Sequence, residues 1–266
     1  MLQNIRAYSN SVAVVYVVDN SEDAAARGNS KPDVPANVTY IHSGGNLGIA
    51  RALNMAAERA IQEGYAYLLT MDQDSKAPDT MIERLLSCLR VFDPSTIGII
   101  SPVHQVENAP LVHTEPCKEV SSVMTSGNLL NLEAYRAAGP FLEDLFIDEV
   151  DHEYCLRLQA RGYKVVQSGL AVLEHALGRF KVHIVGGRRY LISNHAAIRR
   201  YYMTRNRLYV MNRYKKQFPA LCRERMHILL HDLLGIVFFE SDKINKLTMA
   251  WKGYRHYRSN KLGKLE

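Results

Sequence analysis

The sequence predicts an α/β protein in which a mostly parallel sheet is flanked by helices and followed by a helical extension at the C-terminal end. Three observations support this class. Apolar, β-branched runs alternate with helix-forming runs over the first hundred residues. The 266 residues are 47% hydrophobic, which is enough for one large domain with an appendage. From about residue 190 onward, nearly every segment has a helical composition.

Strand and helix signals alternate along the first part of the chain. A continuous apolar run that stops at polar residues is typical of a strand buried in a parallel sheet. Runs rich in alanine, leucine and glutamate that end at glycine are typical of helices. The predicted strands cover 11–20, 38–43, 65–72 and 97–103, and the predicted helices cover 49–64 and 77–92.

Beyond residue 120 the pattern changes. Residues 120–139 are predicted to form a strand, a Ser-Gly turn and a short helix, and residues 148–162 a helix that leads into another strand. The remaining chain is helical in composition. We therefore predict a first domain over 1–190 and a basic helical region over 191–266.

Charge is distributed unevenly, although the net charge is only +6. Residues 1–175 carry a net charge of −9 and residues 176–266 one of +15. An acidic region suits a metal ion or a cationic transition state, whereas a basic one suits phosphates, an anionic membrane surface or nucleic acid. The basic residues could also form a solvated surface. Because no nucleic-acid-binding motif is recognisable, we predict no nucleic-acid partner.

The four cysteines, Cys88, Cys117, Cys155 and Cys222, are widely scattered and include no Cys-x-x-Cys pair. This spacing argues against a disulfide framework or a zinc site and suits a reducing cytosol. The sequence opens without a signal peptide, and no apolar run approaches the roughly 20 residues that span a bilayer. We therefore predict a cytoplasmic protein.

Two aspartates stand at the end of one predicted strand, in LLTMDQDS (68–75). Ligands in parallel sheets bind at the carboxyl ends of the strands, where Asp72 and Asp74 can converge on one cation. Carboxylate oxygens suit Mg²⁺ or Mn²⁺. A solvated turn is the alternative, since Asp and Ser favour turns. The position after a five-residue apolar run favours the metal site.

A second acidic cluster, FIDEVDHEYCLR (146–157), opens a predicted helix. The helix dipole stabilises carboxylates there, so some of them could be structural. A helix start needs only one or two acids, and this one carries four. A carboxylate of this cluster, among Asp148, Asp151 and Glu153, could serve as the general base for a hydroxyl nucleophile.

Two later features could contact a metal or a phosphate. His175, in EHALG (174–178), is a candidate third metal ligand, although a lone histidine is more often structural. In residues 199–216, arginines interleave with tyrosines. That pattern fits either a phosphate clamp or an amphipathic helix with an aromatic stripe in the core.

Several segments occur together, in the right order, in one enzyme family. They are VVDNSE (17–22), GGNLGIARALN (44–54), LLTMDQDS (68–75), residues 125–157, the Gly-Tyr of RGYKV, EHALG (174–178) and RRYYMTRN (199–206). As a set they closely resemble glycosyltransferase family 2, and within it the rhamnosyltransferase-like branch. The resemblance covers nearly the whole chain. It implies a GT-A fold, a nucleotide-sugar donor, a divalent metal and an inverting transfer.

The resemblance also implies roles for individual residues. The Asp-x-Asp pair, Asp72 and Asp74, would hold the metal and the donor. Asp151 would be the catalytic base, and His175 matches a position that often contacts the metal or the diphosphate. The implied donor-binding residues also include Asp19, Asn20, Asn46 and Arg51, and those near the acceptor or a phosphate are Asp148, Glu153, Ser126, Gly127, Arg200, Tyr202, Arg205 and Asn206.

The implied reaction moves a sugar to a hydroxyl of a polysaccharide or lipid-linked glycan, in cell-envelope polysaccharide synthesis. The expected donor is dTDP-rhamnose and the expected cofactor is Mg²⁺ or Mn²⁺. The nucleotide-sugar part would cover about 1–105 and the acceptor part about 106–190.

The chain departs from the family at its start. Family members begin with an additional strand and a turn that contacts the nucleotide base, whereas this chain opens with MLQNIRAYSN (1–10), which resembles the end of the next helix. We therefore expect the first strand to be missing. A catalytically silent sugar-nucleotide-binding or partner subunit remains an alternative. A sugar-nucleotide pyrophosphorylase would need a Gly-rich phosphate loop with Lys-Pro, which we do not find in the sequence.

The basic tail could contact a membrane. Residues 226–239 are amphipathic to apolar, and in residues 243–264 cations interleave with Trp251, Tyr254 and Tyr257, without an acid. An interfacial helix has this composition. Packing of the apolar face on the catalytic domain is an equal alternative. We expect peripheral attachment through 226–264 at the inner face of the membrane.

Overall fold

The computed structural model describes residues 2–22, 35–105, 115–174, 180–185 and 188–266. The chain divides into two compact units. The first comprises Met1–Phe146 and Asp151–Ala176, and the second comprises Ile147–Val150 and Leu177–Glu266. The main boundary between these two compact units lies near residue 176. The division into folding domains at residue 190 stays a prediction.

The first unit contains α/β elements in alternation. They are α1 (Leu2–Ser9), β1 (Val15–Asp19), β2 (Val38–His42), α2 (Ile49–Gln62), β3 (Tyr67–Thr70), α3 (Met81–Leu86), β4 (Ile97–Gln105), β5 (Cys117–Glu119), β6 (Asn128–Asn131), α4 (Leu132–Ala138), α5 (Val150–Ala160, apart from its first residue) and β7 (Lys164–Glu174). The first element is thus a helix, as the opening segment predicts.

Strands β1 and β2 pair in parallel as a sheet of their own. The other five form one sheet in the order β3-β6-β4-β7-β5, in which only β4 and β7 are parallel neighbours. The α/β class with flanking helices is confirmed, but this sheet is mixed rather than mostly parallel. The reason is that β6 and β5 run against their neighbours. Strand β5 has only three residues, Cys-Lys-Glu, and no apolar run that could have revealed it.

A hydrophobic core lies between α3 and the five-stranded sheet. Met81 and Leu85 of α3 are fully buried in one cluster with Ile100, Val166 and Leu173 of the sheet. Full burial of such a side chain stabilises the fold by about 1.5–3 kcal/mol. This packing fixes the sheet whose strand ends carry the predicted site.

A disulfide joins Cys88 and Cys117 within this core. The expectation that the cysteines form no disulfide is therefore wrong for this pair. Cys88 follows α3 and Cys117 begins β5, and both elements pack against β7, so the fold brings together residues that are 29 positions apart. Cys155 and Cys222 are buried and form no disulfide.

The second unit contains a hairpin and three long helices. The helical extension is confirmed, whereas the hairpin was not predicted. Gly253 allows two of the helices to approach closely, because a Cβ there would lie 2.5 Å from the carbonyl oxygen of Tyr201. None of the described helices is long and apolar enough to cross a membrane. The elements are β8 (Phe180–Val185), β9 (Arg188–Ser193), α6 (Ala197–Tyr214), α7 (Pro219–Phe238) and α8 (Lys243–Arg258).

Reduction of the Cys88–Cys117 disulfide should lower the free energy of unfolding by roughly 2–4 kcal/mol, because the cross-link restricts the unfolded chain. Urea unfolding with and without dithiothreitol measures the difference. The double variant Cys88→Ser/Cys117→Ser is the control and should unfold identically in both conditions. Four reactive thiols in the denatured, unreduced protein, rather than two, would contradict the disulfide.

Candidate active site

Strand β3 ends in a tight turn that carries both predicted metal ligands. The amide of Ser75 donates to the carbonyl oxygen of Asp72 at 3.2 Å, which closes the turn. Ser126 Oγ accepts a hydrogen bond from the Asp72 amide at 3.1 Å and donates one to Ser75 Oγ at 2.7 Å. Asp72 is half-buried and Asp74 is exposed. The turn is therefore fixed from one side and presents Asp74 to solvent, where a cation can reach it.

The segment before β6 braces this turn. The amide of Gly127 donates to the carbonyl oxygen of Thr70 at 2.7 Å, and Thr70 Oγ1 donates to that of Thr125 at 2.6 Å. Gly127 has φ +80°, and a Cβ there would lie 2.6 Å from Pro102 Cγ, so only glycine fits. Ser126 and Gly127 thus support the aspartate turn. Their predicted contact with the acceptor or a phosphate stays a prediction.

Asp151 lies in the first turn of α5, close to the carboxyl end of β3. It is half-buried and lines a small cavity together with Thr70, Thr125 and Asn128. Because Thr70 precedes Asp72 by two residues, the fold brings the predicted base and the predicted metal turn to the same edge of the sheet.

The cavity beside Asp151 has unsatisfied polar atoms. Asn128 Oδ1 and Tyr154 Oη are buried and have no hydrogen-bond partner among the described residues. Burial raises the pKa of Tyr154, so its hydroxyl stays protonated and can donate a hydrogen bond at neutral pH. Buried polar atoms are normally paired, so these two atoms mark a place where a polar group from outside the chain would be stabilised.

The other two carboxylates of the acidic cluster have ion-pair partners. Glu153 is buried and accepts a hydrogen bond from Arg157 at 2.7 Å, and Asp148 pairs with Arg199 at 3.0 Å. Asp151 has no such partner in the described part of the chain. Of the three candidate bases, it is therefore the one whose carboxylate is available to a substrate.

The backbone that leads to Asp151 is strained. Phe146, Asp148 and Glu149 have φ values of 65°, 61° and 67°, a region that residues other than glycine seldom adopt. Within the second unit, Asn206 Nδ2 donates to the carbonyl oxygen of Ile147 at 2.7 Å and to that of Asp148 at 3.0 Å. The side chain of Asn206 thus holds residues 147–148 in place. Its predicted role near the acceptor or a phosphate stays a prediction.

Buried ion pairs hold the same segment. Glu149 is only 5% exposed and accepts hydrogen bonds from Arg207 at 2.9 Å and from Arg225. Arg207 also bonds Asp232 at 3.0 Å. Removing one partner from such a pair would leave a buried charge uncompensated. These contacts fix residues 147–149 within the second unit.

The predicted phosphate clamp lies inside the second unit. Arg205 is fully buried, has its guanidinium 5.2 and 5.1 Å from the ring centroids of Tyr201 and Tyr202, and donates to the carbonyl oxygen of Gly263 at 2.6 Å. Arg200 is buried in an ion pair with Glu240. These contacts agree with the other interpretation of residues 199–216, an amphipathic helix with an aromatic stripe in the core. A phosphate role for Arg200, Tyr202 and Arg205 stays a prediction and would require displacement of these partners.

Three of the predicted donor-binding residues lie together after β1 and β2. Asn20 Oδ1 accepts hydrogen bonds from the Leu47 amide at 2.9 Å and from Ser43 Oγ at 3.1 Å. The carbonyl oxygen of Asp19 accepts the Ser43 amide at 3.0 Å, and Asn46 Oδ1 lies 3.4 Å from Asn20 Nδ2. These contacts join the two polar segments that follow β1 and β2 at the carboxyl ends of the parallel strands.

The fourth predicted donor residue, Arg51, pairs with Glu143 at 3.1 Å, and both side chains are about two-fifths exposed. Its neighbour Asn54, one turn along α2, is fully buried and exchanges hydrogen bonds of 2.9 and 2.8 Å with the backbone of Phe141. Sequence reasoning missed Asn54. An asparagine on the alanine-lined face of a predicted helix was the signal that could have found it.

The residues present fit a divalent cation with two protein carboxylates. Among the described residues, no group of three histidine, cysteine or acidic side chains lies close enough to hold a metal. His175, the predicted third ligand, lies outside the described residues. Mg²⁺ is commonly bound by one or two carboxylates together with water and substrate phosphates. Asp72 and Asp74, on a fixed turn, would supply the two carboxylates of such a donor set.

Residues 2–126 match the family described as glycosyl transferase family 2. The chain is 29% identical to the dTDP-rhamnosyl transferase RfbF of Shigella flexneri over an alignment 257 residues long, and the match covers 86% of this chain and 81% of that protein.

Two solved structures share the fold. S. aureus TarS 1-349 has a TM-score of 0.53 at 14% identity, covering 96% of this chain and 77% of that one. The mannosyltransferase PcManGT from Pyrobaculum calidifontis has a TM-score of 0.53 at 15% identity, covering 99% and 71%. The α/β unit is of the GT-A type. The first part of the chain thus matches glycosyl transferase family 2, and most of the chain is similar in sequence to a dTDP-rhamnosyl transferase.

Proposed function

We propose that the protein is an inverting, metal-dependent glycosyltransferase that moves rhamnose from dTDP-rhamnose to a hydroxyl of a polysaccharide or lipid-linked glycan. The observation that carries the proposal is the position of Asp151. Asp151 lines a cavity with Thr70, two residues before the Asp72–Asp74 turn. An available base and a cation-binding turn therefore lie at one edge of one sheet.

The relatives support the donor and the cofactor of this proposal. RfbF is a dTDP-rhamnosyl transferase, and the match to it extends over most of both chains. PcManGT was solved with GDP-Man and Mn²⁺. A cation held by Asp74, with Asp72 beside it, would neutralise the negative charge of a diphosphate leaving group. We propose Mg²⁺ or Mn²⁺ for this role.

The chain's own residues can perform the proton transfer. Asp151 is half-buried and lacks an ion-pair partner among the described residues, so its carboxylate can accept a proton from an acceptor hydroxyl. The hydroxyl oxygen then attacks the anomeric carbon from the face opposite the diphosphate. A bond to the acceptor forms as the bond to the diphosphate breaks, and one displacement inverts the anomeric configuration.

Because the proposed acceptor is a polysaccharide or a lipid-linked glycan, we propose that the enzyme acts in cell-envelope polysaccharide synthesis. A lipid-linked acceptor would bring it to the inner face of the cell membrane. The competing idea of a silent sugar-nucleotide-binding subunit makes a different prediction: it binds dTDP-rhamnose but releases no dTDP in the presence of Mn²⁺ and acceptor extract. The match of residues 2–126 to glycosyl transferase family 2 and the available Asp151 favour the enzyme.

Asp74→Ala should abolish metal-dependent binding of dTDP, because it removes the exposed carboxylate of the turn. Calorimetry with dTDP, with and without Mn²⁺, is the measurement. Asp79→Ala, an exposed acid on the following segment, is the matched control and should bind like the unmodified protein. Undiminished metal-dependent binding by Asp74→Ala would remove Asp74 as a ligand.

Asp151→Asn should retain dTDP binding and lose transfer by roughly 10²–10⁴-fold, because the amide is nearly isosteric but cannot accept the proton. Transfer is measured by release of dTDP from dTDP-rhamnose with an acceptor present. Glu153→Gln serves as the comparison: it should lower the melting temperature, because Glu153 is buried against Arg157. If Asp151→Asn still transfers at the original rate, the base has been misassigned.

A further inference from the structure

The outer face of α8 carries an apolar stripe that the protein leaves exposed. Ile244, Leu247 and Trp251 are 84%, 36% and 61% exposed, at a spacing of three and four residues that places them on one side of the helix. Tyr254 extends this side, with its ring stacked on that of Trp251 at a centroid distance of 5.2 Å. A different side of α8 is buried, at Lys246, Ala250 and Gly253. Helix α8 therefore buries one side and leaves this apolar stripe on another side exposed to solvent.

Helix α7 also has exposed apolar side chains near its C-terminal end, before the turn to α8. Leu230, Leu234 and Val237 are 50%, 57% and 41% exposed, and Phe238 at the end of the helix is 66% exposed. Phe238 and Ile244 are the two most exposed large apolar side chains among the described residues, and they flank the same α7–α8 turn. We call the exposed apolar residues from Phe238 to Trp251 the docking stripe.

Cations flank the docking stripe on α8. Lys243 precedes Ile244, and Arg255 and Arg258 continue the line of Trp251 at a spacing of four and three residues. All three are exposed and have no ion-pair partner in the described part of the chain. Between Lys243 and Lys264 the sequence contains no acidic residue. Apolar and aromatic side chains with flanking cations match a membrane interface, where acyl chains lie beneath anionic headgroups.

We propose that the docking stripe and its cations bind the surface of an anionic lipid bilayer. The charge pattern argues for lipid rather than for a second copy of this chain. A symmetric dimer through α8 would place Arg255 and Arg258 near the same residues of the partner if the helices were parallel, or near Lys243 if they were antiparallel. Like charges in contact are unfavourable in both cases. Anionic headgroups neutralise those cations, and Trp251 lies at a position suited to headgroup depth. The proposal is independent of the transfer reaction.

Trp251 provides a direct test, because it is the single tryptophan of the chain. Its emission should shift to the blue when the full chain meets vesicles of phosphatidylglycerol and phosphatidylcholine. The shift should fade with added salt and be absent with phosphatidylcholine alone. No shift and no flotation with the anionic vesicles would overturn the proposal.

Variants separate the two contributions. Ile244→Ser/Trp251→Ser and Arg255→Gln/Arg258→Gln should each raise the lipid concentration for half-maximal flotation by roughly tenfold or more. Arg90→Gln/Val91→Ser, an exposed cation and an exposed apolar residue of the first unit, is the matched control and should float unchanged. All variants should still bind dTDP, which separates this test from the proposed function. A lipid-independent dimer that Ile244→Ser/Trp251→Ser disperses would instead make the stripe a self-association surface and contradict the proposal.

Discussion

Strand β6 pairs antiparallel with both β3 and β4 and lies between them. Its two ends position the two parts of the candidate site, the Asp72–Ser75 turn and Asp151. At its beginning, Gly127 bonds the carbonyl oxygen of Thr70, and the neighbouring Ser126 supports the aspartate turn. At its end, Asn131 accepts hydrogen bonds from the first amides of α4 and donates one to Ile97 of β4. Helix α4 then leads through residues 139–149 to Asp151. A shift of β6 by one residue would turn its side chains to the other face of the sheet and separate the two parts.

The backbone segment that precedes Asp151 is strained, and buried ion pairs offset the cost in free energy. Left-handed φ values at residues other than glycine cost of order 1–3 kcal/mol each, and Phe146, Asp148 and Glu149 all have them. Glu149 is held by two buried arginines, and breaking a buried ion pair by removing one partner costs roughly 3–5 kcal/mol. Arg207 of α6 and Arg225 of α7 therefore have a structural role that involves no ligand. They stabilise a strained segment that immediately precedes the proposed base.

Much of this architecture follows from local sequence signals. Apolar runs located β1 to β4, and the position of Asp72 and Asp74 after such a run indicated the turn at the end of β3. The acidic cluster indicated the start of α5. The residue pattern alone left Asp148, Asp151 and Glu153 open as the base, and the family resemblance pointed to Asp151. The structure adds that Asp148 and Glu153 have ion-pair partners.

Long-range contacts explain what the sequence did not reveal. The disulfide depends on two elements that meet on β7, and the mixed strand order depends on the short β5 and β6. The burial of Arg205 depends on the packing of α6, which brings tyrosine rings and the backbone of Gly263 around it. The same sequence pattern of arginines among tyrosines occurs in a phosphate-binding clamp and in a helix packed in a core. Only the three-dimensional partners distinguish the two cases.

The central claim is that the carboxyl end of β3, with Asp72 and Asp74, is the cation and diphosphate site of a sugar-nucleotide enzyme. A crystal structure of the full chain with dTDP and Mn²⁺ tests it most directly, since the anomalous signal locates the manganese without ambiguity. The account predicts one manganese peak within bonding distance of the Asp74 carboxylate and of the diphosphate oxygens. A nucleotide bound with its diphosphate elsewhere, or manganese held away from the Asp72–Ser75 turn, would contradict it.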